Sequence, residues 1–141
     1  MSHIKLFVHY VFSTKHRAPF LSSRSIRYKV CKHIRENAKE KNIWIDCVNG
    51  YHDHLHCLVS IKPTQSICEI ARLIKGESSF WINKNKLIIE KFCWQDDYWA
   101  VSISESHIAG VRKYIHNQEE KHKNTLFKEE IDAFMKKHGW K

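Results

Sequence analysis

Apolar and polar residues alternate from Ile4 to Ser13, with Ile4, Leu6, Val8, Tyr10 and Phe12 on one side and Lys5, Phe7, His9, Val11 and Ser13 on the other. A period of two predicts a strand. A polar loop follows, holding Pro19 and carrying Lys15, His16 and Arg17. Ser22-Ser23 then offers an N-cap to a segment whose apolar residues Ile26, Val30, Ile34 and Ala38 recur every four positions, which predicts a helix ending near Lys41. Ile43 to Val48 reads as a strand, Asn49-Gly50 as a hairpin turn, and Tyr51 to Ile61 as the returning strand.

Beyond Pro63, Ser66-Ile67-Cys68-Glu69 has the spacing of a capping box and opens a second helix with Ile67, Ile70, Ala71 and Ile74 on one face, running to about Asn83. Lys84 to Asp97 shows no clear period, and Tyr98 to Ile103 reads as a strand. The Ser104-Glu105-Ser106 cluster starts a third helix with Ile108, Val111 and Ile115, and a last helix places Phe127, Ile131, Phe134 and Met135 together before Gly139. The order predicts an α+β fold of ferredoxin-like type, an antiparallel sheet with helices on one face and the other face open for a partner.

At 141 residues the chain is expected to form a single domain, 1–141, with its own core. Apolar residues make up 43% of it, with only 4 Gly and 2 Pro, which excludes a disordered basic tail. Its longest apolar run, Tyr98-Trp99-Ala100-Val101, is far short of a bilayer span, and the N-terminus lacks the continuous apolar stretch of a secretory signal, so a cytoplasmic protein is expected. The five cysteines (Cys31, Cys47, Cys57, Cys68 and Cys93) are odd in number and contain no C-x-x-C pair; they read as buried thiols rather than a disulfide framework or a thiolate zinc site. The 24 Lys and Arg against 15 Asp and Glu give a net charge of +9, which points to a polyanionic partner, nucleic acid above all.

Candidate chemistry lies on the returning strand. Leu55, Cys57, Val59 and Ile61 form its apolar face, while His52, His54 and His56 are expected on the other. Alternate side chains on a strand stand about 7 Å apart and parallel, close enough for two imidazoles to converge on one ion. On the third helix, Tyr114 and Gln118 are four apart, at the edge of the apolar stripe, and face the same neighbour.

Asp53-His54-Leu55-His56 in a hydrophobic strand, the Tyr114-Ile115-His116-Asn117-Gln118 helix and the opening Tyr10 to Arg17 resemble the IS200/IS605 family of single-tyrosine transposases, over roughly residues 4 to 122. Ile74 to Ser79, Trp94 to Tyr98 and Ser102 to Ser104 fall where that family has similar stretches, in the same order; His52 stands where many members have Pro. The resemblance implies a histidine-hydrophobe-histidine (HUH) endonuclease that cuts and rejoins single-stranded DNA at the ends of a mobile element. It implies Tyr114 as the nucleophile forming a 5′-phosphotyrosine. His54, His56 and Gln118 become ligands of a divalent metal, Mg²⁺ or Mn²⁺ on the chemistry of phosphoryl transfer. Lys15, His16, Arg17 and Lys75 would bind the phosphates of single-stranded or hairpin DNA. A homodimer is expected, with Tyr114 of one subunit serving the histidine pair of the other. The competing expectation is a non-catalytic, domesticated nucleic-acid-binding protein, against which the pairing of Tyr114 and Gln118 with the H-x-H strand argues, because a pure binder needs no nucleophile.

Overall fold

A computed structural model describes residues 2–140. Four strands form one antiparallel sheet: β1 (Phe7–Ser13), β2 (Trp44–Tyr51), β3 (His54–Ser60) and β4 (Trp99–Ile103), in the order β2-β3-β1-β4. Helices α1 (Arg24–Glu40) and α2 (Ile67–Lys84) are the two crossovers, and α3 (Ile108–His116), α4 (Gln118–Lys121) and α5 (Phe127–Lys137) follow β4. The fold is the expected α+β type. No helix among the described residues is long and apolar enough to cross a membrane.

The alternation in β1 does what its period predicts. Val8, Tyr10 and Phe12 join Leu55, Cys57 and Val59 of β3 in the main core, beneath Val30, Ile34 and Ala38 of α1 and Ile70, Ala71 and Ile74 of α2. Ser23 caps α1 by accepting from the Ile26 amide. At α2 only half of the capping box forms: Ser66 accepts from the Glu69 amide, while the Glu69 carboxylate turns to Arg72 at 2.7 Å. Ile4 and Leu6 lie before the strand and are exposed.

The opposite face of the sheet is covered too. Ile108 and Ile115 of α3 pack on Cys47 and Leu58, and Phe127 and Ile131 of α5 pack on Val11. The expected open face is therefore roofed by the last three helices. The sequence shows why: α3 and α5 each have an apolar stripe that has to be buried, and α1 and α2 already fill the first face.

Asn49-Gly50 is not the hairpin turn. β2 runs on to Tyr51, Gly50 pairs with Leu55, and His52-Asp53 makes the turn. The glycine serves close approach instead, since a Cβ on Gly50 would lie 2.1 Å from the His54 carbonyl oxygen. His52 consequently leaves the strand face shared by His54 and His56, and its ring stacks on Tyr51 at 3.9 Å. Of the cysteines expected to be buried, Cys47 and Cys57 are, while Cys31 and Cys93 are half-buried and Cys68 is exposed. Of the stretch 84–97, which shows no period, Lys84 ends α2, and the rest contains no helix or long strand and is anchored by a bridge between Thr14 and Trp94 and by the buried Phe92.

Candidate active site

β3 aims Leu55, Cys57 and Val59 at the main core, which leaves His54 and His56 pointing under the roof of α3 to α5. Both imidazoles are fully buried. Tyr114 projects from α3 toward them, its ring centroid 5.4 Å from that of His56 in the same chain. The helix breaks at Asn117, yet Gln118 opens α4 in almost the same register, and its Oε1 lies 3.0 Å from His54 Nε2. The four residues expected at the site therefore meet within one chain.

At their meeting point is a group that sequence reasoning missed, the buried carboxylate of Glu130 on α5. Its two oxygens face different partners. Oε1 lies 3.1 Å from His54 Nε2, 3.4 Å from His56 Nε2 and 3.0 Å from Nε2 of His122, a second missed residue. Oε2 accepts hydrogen bonds from the Tyr114 hydroxyl and from Gln118 Nε2. Two signals were present in the sequence. Glu130 is a charge on the helix face of Phe127, Ile131 and Phe134, and His122 continues the four-residue register of Tyr114 and Gln118.

Each imidazole is held from behind. His54 Nδ1 donates to Asp53 Oδ1 at 2.8 Å, and His122 Nδ1 donates to the Thr125 carbonyl at 2.6 Å. His56 Nδ1 and His9 Nε2 share a hydrogen bond of 2.9 Å. Such anchors fix ring orientation and present Nε2 to the site. The electrostatics follow from burial and partners. Burial pushes His9 down to about 3 and His56 down to about 4, so both rings stay neutral. At His54 burial opposes the charged ring, but the bonds to Asp53 and Glu130 outweigh it and raise the pKa above the ordinary value. Burial would likewise raise Glu130, yet its bonds to His122, His54 and His56 hold the carboxyl well below the usual range. The Tyr114 phenol is pushed up by burial and then by the Glu130 charge.

Imidazole nitrogens with a carboxamide and a carboxylate oxygen make a donor set that fits a divalent cation. His54, His122 and Glu130 in particular offer ligand atoms all within 4.8 Å of one another. A cavity of about 600 Å³ opens beside them, walled by Tyr114, Glu130, Phe134, Ser102 and His107.

The residues expected to bind phosphates sit elsewhere. Lys15, His16 and Arg17 are exposed in a 3₁₀ turn after β1, with Arg17 over the Phe127 ring at 5.4 Å. Lys75, half-buried on α2, bonds the Asp96 carbonyl at 2.5 Å and lies over the Tyr98 ring. Its ammonium is already engaged by this chain.

Comparison with known proteins places this geometry in context. Residues 2–118 match the family described as IS200-like transposases. The chain is 28% identical over 94 residues to the ISDra2 transposase TnpA of Deinococcus radiodurans, which covers 62% of this chain and 66%, just under two thirds, of that protein. Two solved structures share the fold. One is a candidate transposase from Deinococcus radiodurans R1 (TM-score 0.67, 21% identity, 83% of this chain and 93% of that one). The other is a REP-associated tyrosine transposase bound to a REP hairpin (TM-score 0.62, 17% identity, 86% of this chain and 72% of that one).

Proposed function

Because this chain belongs to the IS200-like transposase family, we propose that it cleaves and rejoins single-stranded DNA at the ends of a mobile element, with Tyr114 as the nucleophile. The observation that carries the proposal is the convergence of the Tyr114 hydroxyl, the paired His54 and His56 and the Gln118 amide on one buried point. A nucleophile has no reason to share a pocket with an H-x-H strand in a protein that only binds.

In the proposed reaction Tyr114 Oη attacks the scissile phosphorus, the new P–O bond leaves DNA on the tyrosine as a 5′-phosphotyrosine, and the 3′-oxygen departs. Glu130 Oε2 accepts the phenolic hydrogen bond and orients Oη for attack; the phenolic proton is lost to solvent, and the departing 3′-oxygen takes one up to leave a free 3′-hydroxyl. Tyrosine suits a cut that must be resealed, because the phosphoester retains the energy for rejoining and no external source is required. His54, His56 and Gln118 would hold a divalent ion, Mg²⁺ or Mn²⁺, which when bound polarises the phosphate and stabilises charge on its oxygens. His9 and Asp53 orient the two imidazoles.

The substrate proposed is single-stranded or hairpin DNA. Lys15 and Arg17 supply exposed positive charge, Arg17 at the edge of α5, His16 between them offers ring nitrogens for hydrogen bonds, and the net charge of +9 favours phosphate binding generally. Lys75 is proposed to act there only after releasing Asp96. Two element ends need two nucleophiles, so a homodimer is the proposed active form. The proximity of Tyr114 to His56 in one chain supports use of the tyrosine in cis.

The test is incubation with end-labelled single strands carrying the flanking genomic sequence, alongside the same sequence as a duplex, with Mn²⁺. Cleavage of the single strand alone is expected. Cleavage of neither strand form, with binding retained, would favour the non-catalytic reading.

A further inference from the structure

His54 Nδ1 and His122 Nδ1 each face an oxygen that can only accept, the Asp53 carboxylate and the Thr125 carbonyl. Each Nδ1 therefore carries a hydrogen, and each Nε2 is turned to the site. Both Nε2 atoms aim at Glu130 Oε1, at 3.1 Å and 3.0 Å. Ring nitrogens gathered this closely on one carboxylate oxygen need positive charge among them, protons or a metal ion, and in a buried site that charge is not screened by water. His56 Nε2 adds a third nitrogen at 3.4 Å.

We propose that Glu130 and His122 are ligands of the same divalent ion as His54, so that the C-terminal segment closes the metal seat. This rests on the reading of the site as metal-dependent and deepens it, because the region matching the family ends at Gln118 and neither residue lies within it.

The geometry supports the assignment in three ways. The ligand atoms of His54, His122 and Glu130 span no more than 4.8 Å. Both imidazoles have the anchored outer nitrogen that metal-bound histidines require. The carboxylate is itself fixed, since Oε2 is occupied by Tyr114 and Gln118 while Oε1 is left to the nitrogens. His122 and Glu130 would add to the His54, His56 and Gln118 donors, and the cavity that Tyr114 and Glu130 line would admit the substrate beside them. Mn²⁺ accepts both donor types and is the natural probe.

The experiment is titration of the metal-free protein with Mn²⁺, read by calorimetry and by the rise in Tm on saturation, with no DNA present. The full chain is compared with Glu130→Gln, His122→Ala and the surface control Glu120→Gln. The wild type and the control should bind alike. Glu130→Gln and His122→Ala should each weaken binding at least tenfold, with circular dichroism showing the fold retained. The two variants are read independently, so misfolding of one leaves the other to decide. Absence of Mn²⁺ binding by the wild type overturns the proposal, as does affinity within twofold of wild type in a folded Glu130→Gln or His122→Ala. Failure of the DNA reading looks different: Mn²⁺ binds, the variants lose it, and no strand is cut.

Discussion

Tyr114 donates its hydroxyl hydrogen to Glu130 Oε2, a carboxylate sixteen residues further along the chain and on another helix. That bond ties α3 to α5 across the site and fixes the phenol beside His56. Tyr114→Phe removes it and leaves Glu130 to Gln118 and the imidazoles. A bond to a charged group is worth about 1.5–3 kcal/mol, so chemical denaturation should show a loss of that order, with single-stranded DNA binding unchanged within about twofold. Loss of DNA binding in step with stability would indicate that the ring has a wider structural role.

Gly50→Ala tests the reading of Gly50 as a close-approach residue. A Cβ there meets the His54 carbonyl at 2.1 Å and the Leu55 side chain at 2.6 Å, so β2 and β3 would have to separate. Overpacking of this kind costs about 1–3 kcal/mol or more. Urea unfolding should show a loss of at least that size, and the shift of His54 should weaken Mn²⁺ binding. Wild-type stability would mean that the strands pair in another register.

Acid should destabilise the protein through its neutral buried histidines. His9, lowered to about 3 by burial and then by the neighbouring His56, binds a proton in the unfolded chain at a higher pH than in the folded one. Its contribution is therefore complete above the ordinary histidine pKa and is lost progressively as pH falls from about 6.5 toward 3. His56, at about 4, behaves alike, while His54, raised, works in the opposite direction. Comparison of urea midpoints at pH 7.5 and 5 should show a smaller acid loss in His9→Gln than in the wild type, by roughly 1–2 kcal/mol. Equal losses in both proteins would contradict the assignment of His9 as a neutral ring.

The legible parts of this chain are those whose periodicity is set by one neighbour. α1 and α2 each bury a single stripe in one core, and β1 gives one of its two alternating faces to the same core, so their patterns read directly. The Asn49-Gly50 pair misled because a glycine that admits a neighbouring backbone looks the same in sequence as one that turns the chain. The site was half legible for a similar reason. His54, His56, Tyr114 and Gln118 fall in short motifs, but Glu130 reaches them only because α5 folds back over Val11, a long-range contact that no local pattern encodes. The roofed sheet face belongs to the same class of non-local fact.

The single-chain arrangement makes a prediction about assembly. A mixture of Tyr114→Phe and His56→Ala subunits, with exchange shown independently, should stay as inactive as its components, since Tyr114 stands beside the His56 of its own chain. Recovery of cleavage toward about a quarter of the wild-type level, the share of complete sites after random exchange of equal amounts, would show that partners exchange their α3 helices.

The central claim is that Tyr114 becomes covalently bound to DNA. The direct measurement is peptide mapping by mass spectrometry of the adduct formed with Mn²⁺ and a single strand bearing the flanking sequence, beside Tyr114→Phe as control. The account predicts a nucleotide phosphoester on the peptide containing Tyr114, attached through the 5′-phosphate, and no adduct in the variant, a loss of at least about a thousandfold. An adduct on any other residue, or one undiminished in Tyr114→Phe, would contradict it.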